Sequence, residues 1–288
     1  MSVDILQERI RKMKNPSMLE LAMPLCDLPP QYEQTAAGYG AFCRCLLEGL
    51  RETMPAVRVS FAAFALLGAA GMAELEQTLK MAAELGYYVA LDAPEIPSPM
   101  MAKVTAELLL GEGSAYPCDA LVIPGYAGSD IIKPFLPYTK KQKKDLFVIT
   151  RTANKSASEL QDLLSGTRLV HTVAADHVNR YGDGTEGKHG YTRVGILAAA
   201  SSAESLRTLR AKYPRLFFLL DGFDYPNANA KNCAQAFDRY GHGAAACGGT
   251  AITTAWKKAE SDGSDWLEHA LAAADRMKKN LNRYITVL

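Results

Sequence analysis

The chain lacks an excess of charge of either sign. Its 32 lysines and arginines meet 31 aspartates and glutamates over 288 residues. Without a basic excess there is no electrostatic footprint for nucleic acid or an anionic membrane, so a small molecule or a protein is the better kind of partner. Paired cysteines are also missing. The six thiols, at Cys26, Cys43, Cys45, Cys118, Cys233 and Cys247, form no C-x-x-C pair. Cys43 and Cys45 sit in an apolar helical stretch, and the set reads as reduced, buried thiols. Long apolar runs are absent too. The apolar run "VSFAAFALLGAAGMA" has 15 residues, short of the roughly 20 that a membrane span needs. The amino-terminal "MSVDILQERIRKMKNPS" is charged and amphipathic, with no apolar core of a signal peptide. A soluble, cytoplasmic protein is the expectation. Glycine-rich stretches exist, but none has G-x-G-x-x-G spacing after a strand, and no G-x-x-x-x-G-K-[ST] occurs. A nucleotide loop of either kind is therefore unsupported.

What is present alternates. Short β-rich runs fall at 18–23, 57–62, 87–92, 119–124, 146–151, 193–199, 215–221 and 243–249. Between them lie helical patterns. "GMAELEQTLKMAAELG" places Leu75, Leu79, Ala82 and Leu85 on one face, with Gly86 as a stop. "SAESLRTLRAKYP" predicts a helix capped by Ser202, and "SASELQDLL" one capped by Ser156 with Glu159 three residues on. Glycine-rich "YGDGTEGKHGY" reads as a mobile loop before the sixth run. The last stretch reads as a long amphipathic helix that closes the barrel or packs on a partner. Strands apolar on both faces and separated by helices mean a parallel sheet with covered faces. Eight such units predict one (β/α)₈ TIM-barrel domain over residues 1–288, with an N-terminal helix and a long C-terminal helix.

In such a barrel the loops after the strands converge on one mouth, so chemistry belongs at the strand ends. That rule selects Glu20 or Met23, Arg58 and Ser60, Asp92 and Glu95, and Pro124, Gly125 and Tyr126. It then selects Arg151, Thr152 and Asn154, Ser201 and Ser202, Asp221 and Asp224, and Gly248, Gly249 and Thr250. Backbone amides opening a helix at Gly248–Thr250 could meet an anion. Arg58 could pair with Asp92 across adjacent strand ends, as a structural ion pair or as a ligand clamp. Asn227 and Asn229 are polar loop residues beside these. His171, His177 and His189, with Asp176, would need to converge to bind a metal, and no metal is expected. The "KKQKK" run reads as a solvated face.

Seven segments carry a resemblance: "AAFALLGAAGMAELEQTL", "YYVALDA", "CDALVIPGYAGSDIIKPFL", "DLFVITRTANKSASELQDL", "GYTRVGILAAA", "LRTLRAKYPRLFFLLDG" and "FDRYGHGAAACGGTAI". In order and content they resemble orotidine 5′-phosphate decarboxylase of the longer bacterial subfamily, over about Arg58 to Lys257. The resemblance implies a (β/α)₈ barrel, a homodimer with sites at the subunit interface, and chemistry without a cofactor. It implies alternating lysines and aspartates around the scissile carboxylate, centred on D-x-K-x-x-D after strand three. The lysine protonates the carbanion-like centre, and the last aspartate reaches into the partner's site. Fixed positive charge must stand where negative charge develops.

The chain departs from that pattern at the strand ends. Asp92 holds the first aspartate, but Pro94-Glu95-Ile96 replaces the lysine segment and is two residues shorter. Glu95 could stand for the second aspartate. Arg58-Val59 replaces lysine-proline, Ala65 replaces a glutamate, and the glycine-leucine-aspartate after strand one has no counterpart. Pro124-Gly125-Tyr126 replaces Asn-Pro-Tyr. Gly249-Thr250 stands at the phosphate-binding Ser-Arg, and Asp221 stands where the phosphate loop has proline. Thr152 and Asn154 keep the family's Thr-x-Asn places. Losing one pre-placed charge costs a few kcal/mol of transition-state stabilisation. The expectation is therefore a barrel without efficient decarboxylase activity that binds a small ligand or a protein, or performs another reaction. Asp92, Glu95 and Arg58 are its candidate catalytic groups. Thr152, Asn154, Tyr126, Asp221, Gly248, Gly249 and Thr250 are its ligand contacts. The alternative is an active decarboxylase in which Arg58 substitutes for the lysine, although a guanidinium of pKa above about 12 is a poor proton donor.

Overall fold

A computed structural model describes residues 3–223 and 228–288; Asp224 and Asn227, singled out above, lie outside them. Eight parallel strands close a barrel, and each falls on one of the eight apolar runs. They are β1 (Ser17–Leu21), β2 (Ala56–Ser60), β3 (Tyr88–Asp92), β4 (Ala120–Pro124), β5 (Asp145–Ile149), β8 (Val194–Ala199), β9 (Phe218–Asp221) and β10 (Ala244–Gly248). A two-stranded antiparallel ribbon, β6 (Leu164–Ser165) and β7 (Arg168–Leu169), intervenes after β5. The order around the barrel is β1-β10-β9-β8-β5-β4-β3-β2. Apart from the ribbon, the chain therefore goes round the barrel strand by strand.

Alternation along each strand divides the core in two. Leu19, Leu21, Val57, Val59 and Leu91 pack outward against the helices. Met18, Ala56, Tyr88, Ala90, Phe147, Phe217, Leu219, Ala245 and Cys247 fill the barrel. Small alanines facing large rings let the inner layers interdigitate. The N-terminal helix Val3–Met13 adds Val3, Leu6 and Ile10 to this inner cluster, so it plugs the barrel at the amino ends of the strands. Each fully buried side chain of this kind contributes roughly 1.5–3 kcal/mol.

Helix Gly68–Glu84 buries Leu75, Leu79 and Ala82, as its spacing predicts. It stops because Gly86 adopts φ +86°, a conformation open to glycine but costly to other residues. The C-terminal helix Trp266–Asn282 packs on the barrel wall and on helix Ala36–Leu50.

Three expectations are corrected. "SASELQDLL" forms only a short 3₁₀ turn, Lys155–Glu159, with Ser156 inside it and Asn154 at the cap position. The chain then enters the ribbon, and the helix of this unit is Val170–Tyr181. Local bonds from Thr152 to Gln161 hold the segment in turns instead. Ser202 does stand at the start of helix Ala203–Lys212 but makes no side-chain capping bond. The loop before β8 is tied down, since Asp4 accepts the amides of Lys188 and His189. All six thiols are unpaired; four are buried, Cys45 is half-buried and Cys26 is exposed. Among the described residues no helix is long and apolar enough to cross a membrane.

Candidate functional site

The inward alternation that fills the barrel with alanine and aromatic rings ends in charge at the mouth. Glu20 and Arg58 are register partners on β1 and β2. Asp92 lies one inner layer higher on β3, opposite Ser60. Asp221 ends β9, which β10 separates from β1. Barrel closure brings all four together.

Arg58 is only 7% exposed. Its Nε donates to Asp92 Oδ1 at 2.7 Å and its Nη1 to Asp221 Oδ1 at 2.6 Å. Glu20 Oε1 stands 3.2 Å from the same Nη1. Arg58 Nη2 has no hydrogen-bond partner among the described residues. Burial alone would lower the guanidinium pKa. Asp92, Glu20 and Asp221 together hold it well above its ordinary value. The arginine is thus a fixed cation, which orients charge and does not give up a proton. Burial pushes Asp92 above the ordinary carboxylate value, with Arg58 pulling the other way and Asp221 adding to the rise. Cys247 lies beneath, fully buried, and its thiol is pushed up by burial.

The structure brings together only part of the expected set. Arg58 does pair with Asp92, as adjacent strand ends suggested. Glu95 is exposed and makes no hydrogen bond or ion pair among the described residues, so it is not in the cluster. Thr152 and Asn154 are bonded to each other, and Gln161 clasps Thr152 through its amide N–H and hydroxyl. Arg151 turns away to a two-point pair with Asp162, at 3.0 and 2.7 Å. Tyr126 donates to the carbonyl of Thr150. Gly248 lies under Met277 and Ile252, and Gly249 precedes the short helix Thr250–Thr253. His171 and His177 occupy different faces of their helix, and His189 lies beside His242. Among the described residues no His, Cys, Asp and Glu group could hold a metal ion. Sequence reasoning missed that Glu20 and Asp221 both converge on Arg58. The available signal was position: each is an acid on the inward beat of an apolar strand.

Comparison with known proteins places the chain. No family model matches it. It is 28% identical over 277 residues to orotidine 5′-phosphate decarboxylase of Rhodopirellula baltica, covering 93% of this chain and 92% of that one. It is 30% identical over 227 residues to orotidine 5′-phosphate decarboxylase of Clostridium kluyveri, covering 77% and 75%. The solved OMP decarboxylase of Leishmania donovani superposes with a TM-score of 0.76 at 24% identity, covering 99% of both chains. With this barrel, this strand order and relatives matched along most of its length, the chain belongs to the orotidine 5′-phosphate decarboxylase family.

Proposed function

We propose that this chain is a decarboxylase-fold barrel without efficient orotidine 5′-phosphate decarboxylase activity, whose mouth binds a small neutral or cationic molecule. The observation that carries the reading is the clamp on Arg58. Its Nε and Nη1 are already taken by Asp92, Asp221 and Glu20. Arg58 is the one cation in this cluster, and a guanidinium holds its proton too tightly to hand it to a carbanion as a lysine would. Three carboxylates around one guanidinium also leave a surplus of negative charge where a substrate carboxylate would sit. Asp221 further disfavours a phosphate dianion near Gly248, Gly249 and Thr250, since like charges in a sheltered site repel strongly. The remaining Arg58 donors at Nη2 suit a neutral carbonyl, and Thr152 and Asn154 suit a neutral contact.

A homodimer, paired through the barrel mouth and the loop after β3, belongs to the same proposal. Helix Pro99–Leu110 exposes Met100, Met101, Val104 and Leu108 beside the exposed Glu95. A second copy over this apolar face would bury it and put Glu95 at the partner's mouth.

The second reading, an active decarboxylase, has the names of the curated relatives in its favour. One experiment separates the two. Turnover of orotidine 5′-phosphate is followed by ultraviolet absorbance, with uridine monophosphate binding measured by calorimetry. No turnover and no sub-millimolar binding are expected. Robust turnover abolished by Asp92→Asn would establish the second reading. Sedimentation showing a stable monomer at micromolar concentration would remove the dimer.

A further inference from the structure

A second cleft lies outside the barrel mouth, between the segment after β4 and helix Val170–Tyr181, with a volume of about 300 Å³. Its origin is local. The outer helix after β4 is broken into Ser129–Ile132, the turn Lys133–Phe135 and Leu136–Lys141, with Pro134 and Pro137 starting the later pieces. So interrupted, it leaves part of its neighbour uncovered. Ile132, Val170, Val173 and Ala174 form apolar walls. The hydroxyls of Ser129 and Ser165, at the edge, make no hydrogen bond among the described residues.

Past Val173 and His177 the cleft meets a second, polar hollow of about 320 Å³ that includes Arg168 and Arg180. Charge is uneven there. Asp176 is shared by Arg168 and Lys212. Arg180 has no carboxylate partner among the described residues, and its Nη2 lies 2.7 Å from His177 Nδ1. Arginine can only donate, so Nδ1 accepts and the ring proton of neutral His177 is on Nε2. The imidazole therefore presents an N–H donor, backed by the Arg180 cation.

We infer that these two hollows form a ligand site for a small organic carboxylate, separate from the Arg58 cluster. The apolar body occupies the space between Ile132 and Ala174. The carboxylate meets His177 Nε2–H and Arg180, with the serine hydroxyls as further donors. A site of this size suits roughly ten to fifteen non-hydrogen atoms. The inference does not depend on what the barrel mouth binds.

The full chain is titrated by calorimetry with 4-phenylbutyrate and, in parallel, with the neutral 4-phenylbutyramide. The expected result is binding of the carboxylate below about 1 mM, with the amide at least about tenfold weaker for want of a charge-assisted contact. Arg180→Gln should weaken the carboxylate by a similar factor, and its melting temperature should stay unchanged because Arg180 is exposed. Ala174→Phe should fill the apolar space and abolish binding. If that variant fails to fold, Arg180→Gln and the amide still decide the matter. No binding below about 10 mM, equal affinity for acid and amide, or indifference to Arg180→Gln would each overturn the site.

Discussion

Replacing Arg58 by methionine isolates the energetics of the charged mouth. Methionine keeps most of the unbranched stem, so the cavity is small. What is lost is the guanidinium, with bonds of 2.7 and 2.6 Å to Asp92 and Asp221 and a contact of 3.2 Å to Glu20. Three carboxylates of 20–22% side-chain exposure then face one another without a cation. Removing one partner of a buried ion pair costs about 3–5 kcal/mol, on the order of 10 °C in melting temperature for a chain of this size. Asp92 already titrates above its ordinary value through burial, with Arg58 opposing. Without Arg58 that rise grows, so the folded state holds protons that the unfolded chain has released. Stability is then full below the ordinary carboxylate range and falls as pH rises through the folded pKa. Urea unfolding should show a larger deficit at about pH 7.5 than at about pH 5. Asp221→Asn added to Arg58→Met should recover part of the loss, while Asp92→Asn alone should stay within about 1 kcal/mol of wild type. An Arg58→Met protein within about 1 kcal/mol of wild type at neutral pH would refute the reasoning.

Other sites give further tests. Arg210, buried and stacked 3.9 Å over Phe218, donates to the carbonyls of Ala236, Leu216 and Gly243 at 2.6–2.8 Å and to Pro214 at 3.2 Å. Lysine keeps the charge but not the fork, so Arg210→Lys should lower stability by about 2–3 kcal/mol in urea titration; an unchanged midpoint would contradict this. Gly71→Ala would ordinarily gain up to about 1 kcal/mol within a helix. Here the new methyl would press on the carbonyl of Phe64 and the Cβ of Leu67, so a net loss above about 1 kcal/mol is expected, and a higher melting temperature would be evidence against that packing. Burial lowers the pKa of His171, against the pull of the Gln161 carbonyl and Asp162. Its stabilising contribution is therefore present above the ordinary histidine range and is lost as pH falls from about 6.5 towards the folded pKa. His171→Gln should flatten stability in that interval, and an unaltered pH profile would assign the dependence elsewhere.

The barrel was legible because its signal is repeated eight times. Each strand is a short apolar run, and an error of one or two residues at a boundary changes neither strand order nor face. Helix Gly68–Glu84 was legible for the same reason, with three buried positions at helical spacing and a glycine stop. Residues 155–169 were not. "SASELQDLL" has a cap residue and helical spacing, but Leu160, Leu163 and Leu164 are all exposed, so no core contact rewards the helix. Amphipathic spacing predicts a helix only where something covers the apolar face.

The charged cluster shows a different limit. Glu20, Arg58, Asp92 and Asp221 are spread over some two hundred residues, and only closure of the sheet makes Asp221 a neighbour of β2. Adjacent strands alone suggest the Arg58–Asp92 pair; nothing local says that a third and a fourth group join it. Yet alternation constrains the answer. Leu19 and Leu21 face outward, so Glu20 must face the barrel interior, and a buried carboxylate there needs a cation. Arg58 is the one guanidinium at that level, and its demand is met by one acid. The other two exceed what neutralising Arg58 requires. Their surplus negative charge is why the mouth, under the function proposed here, favours a neutral or cationic guest over a phosphate.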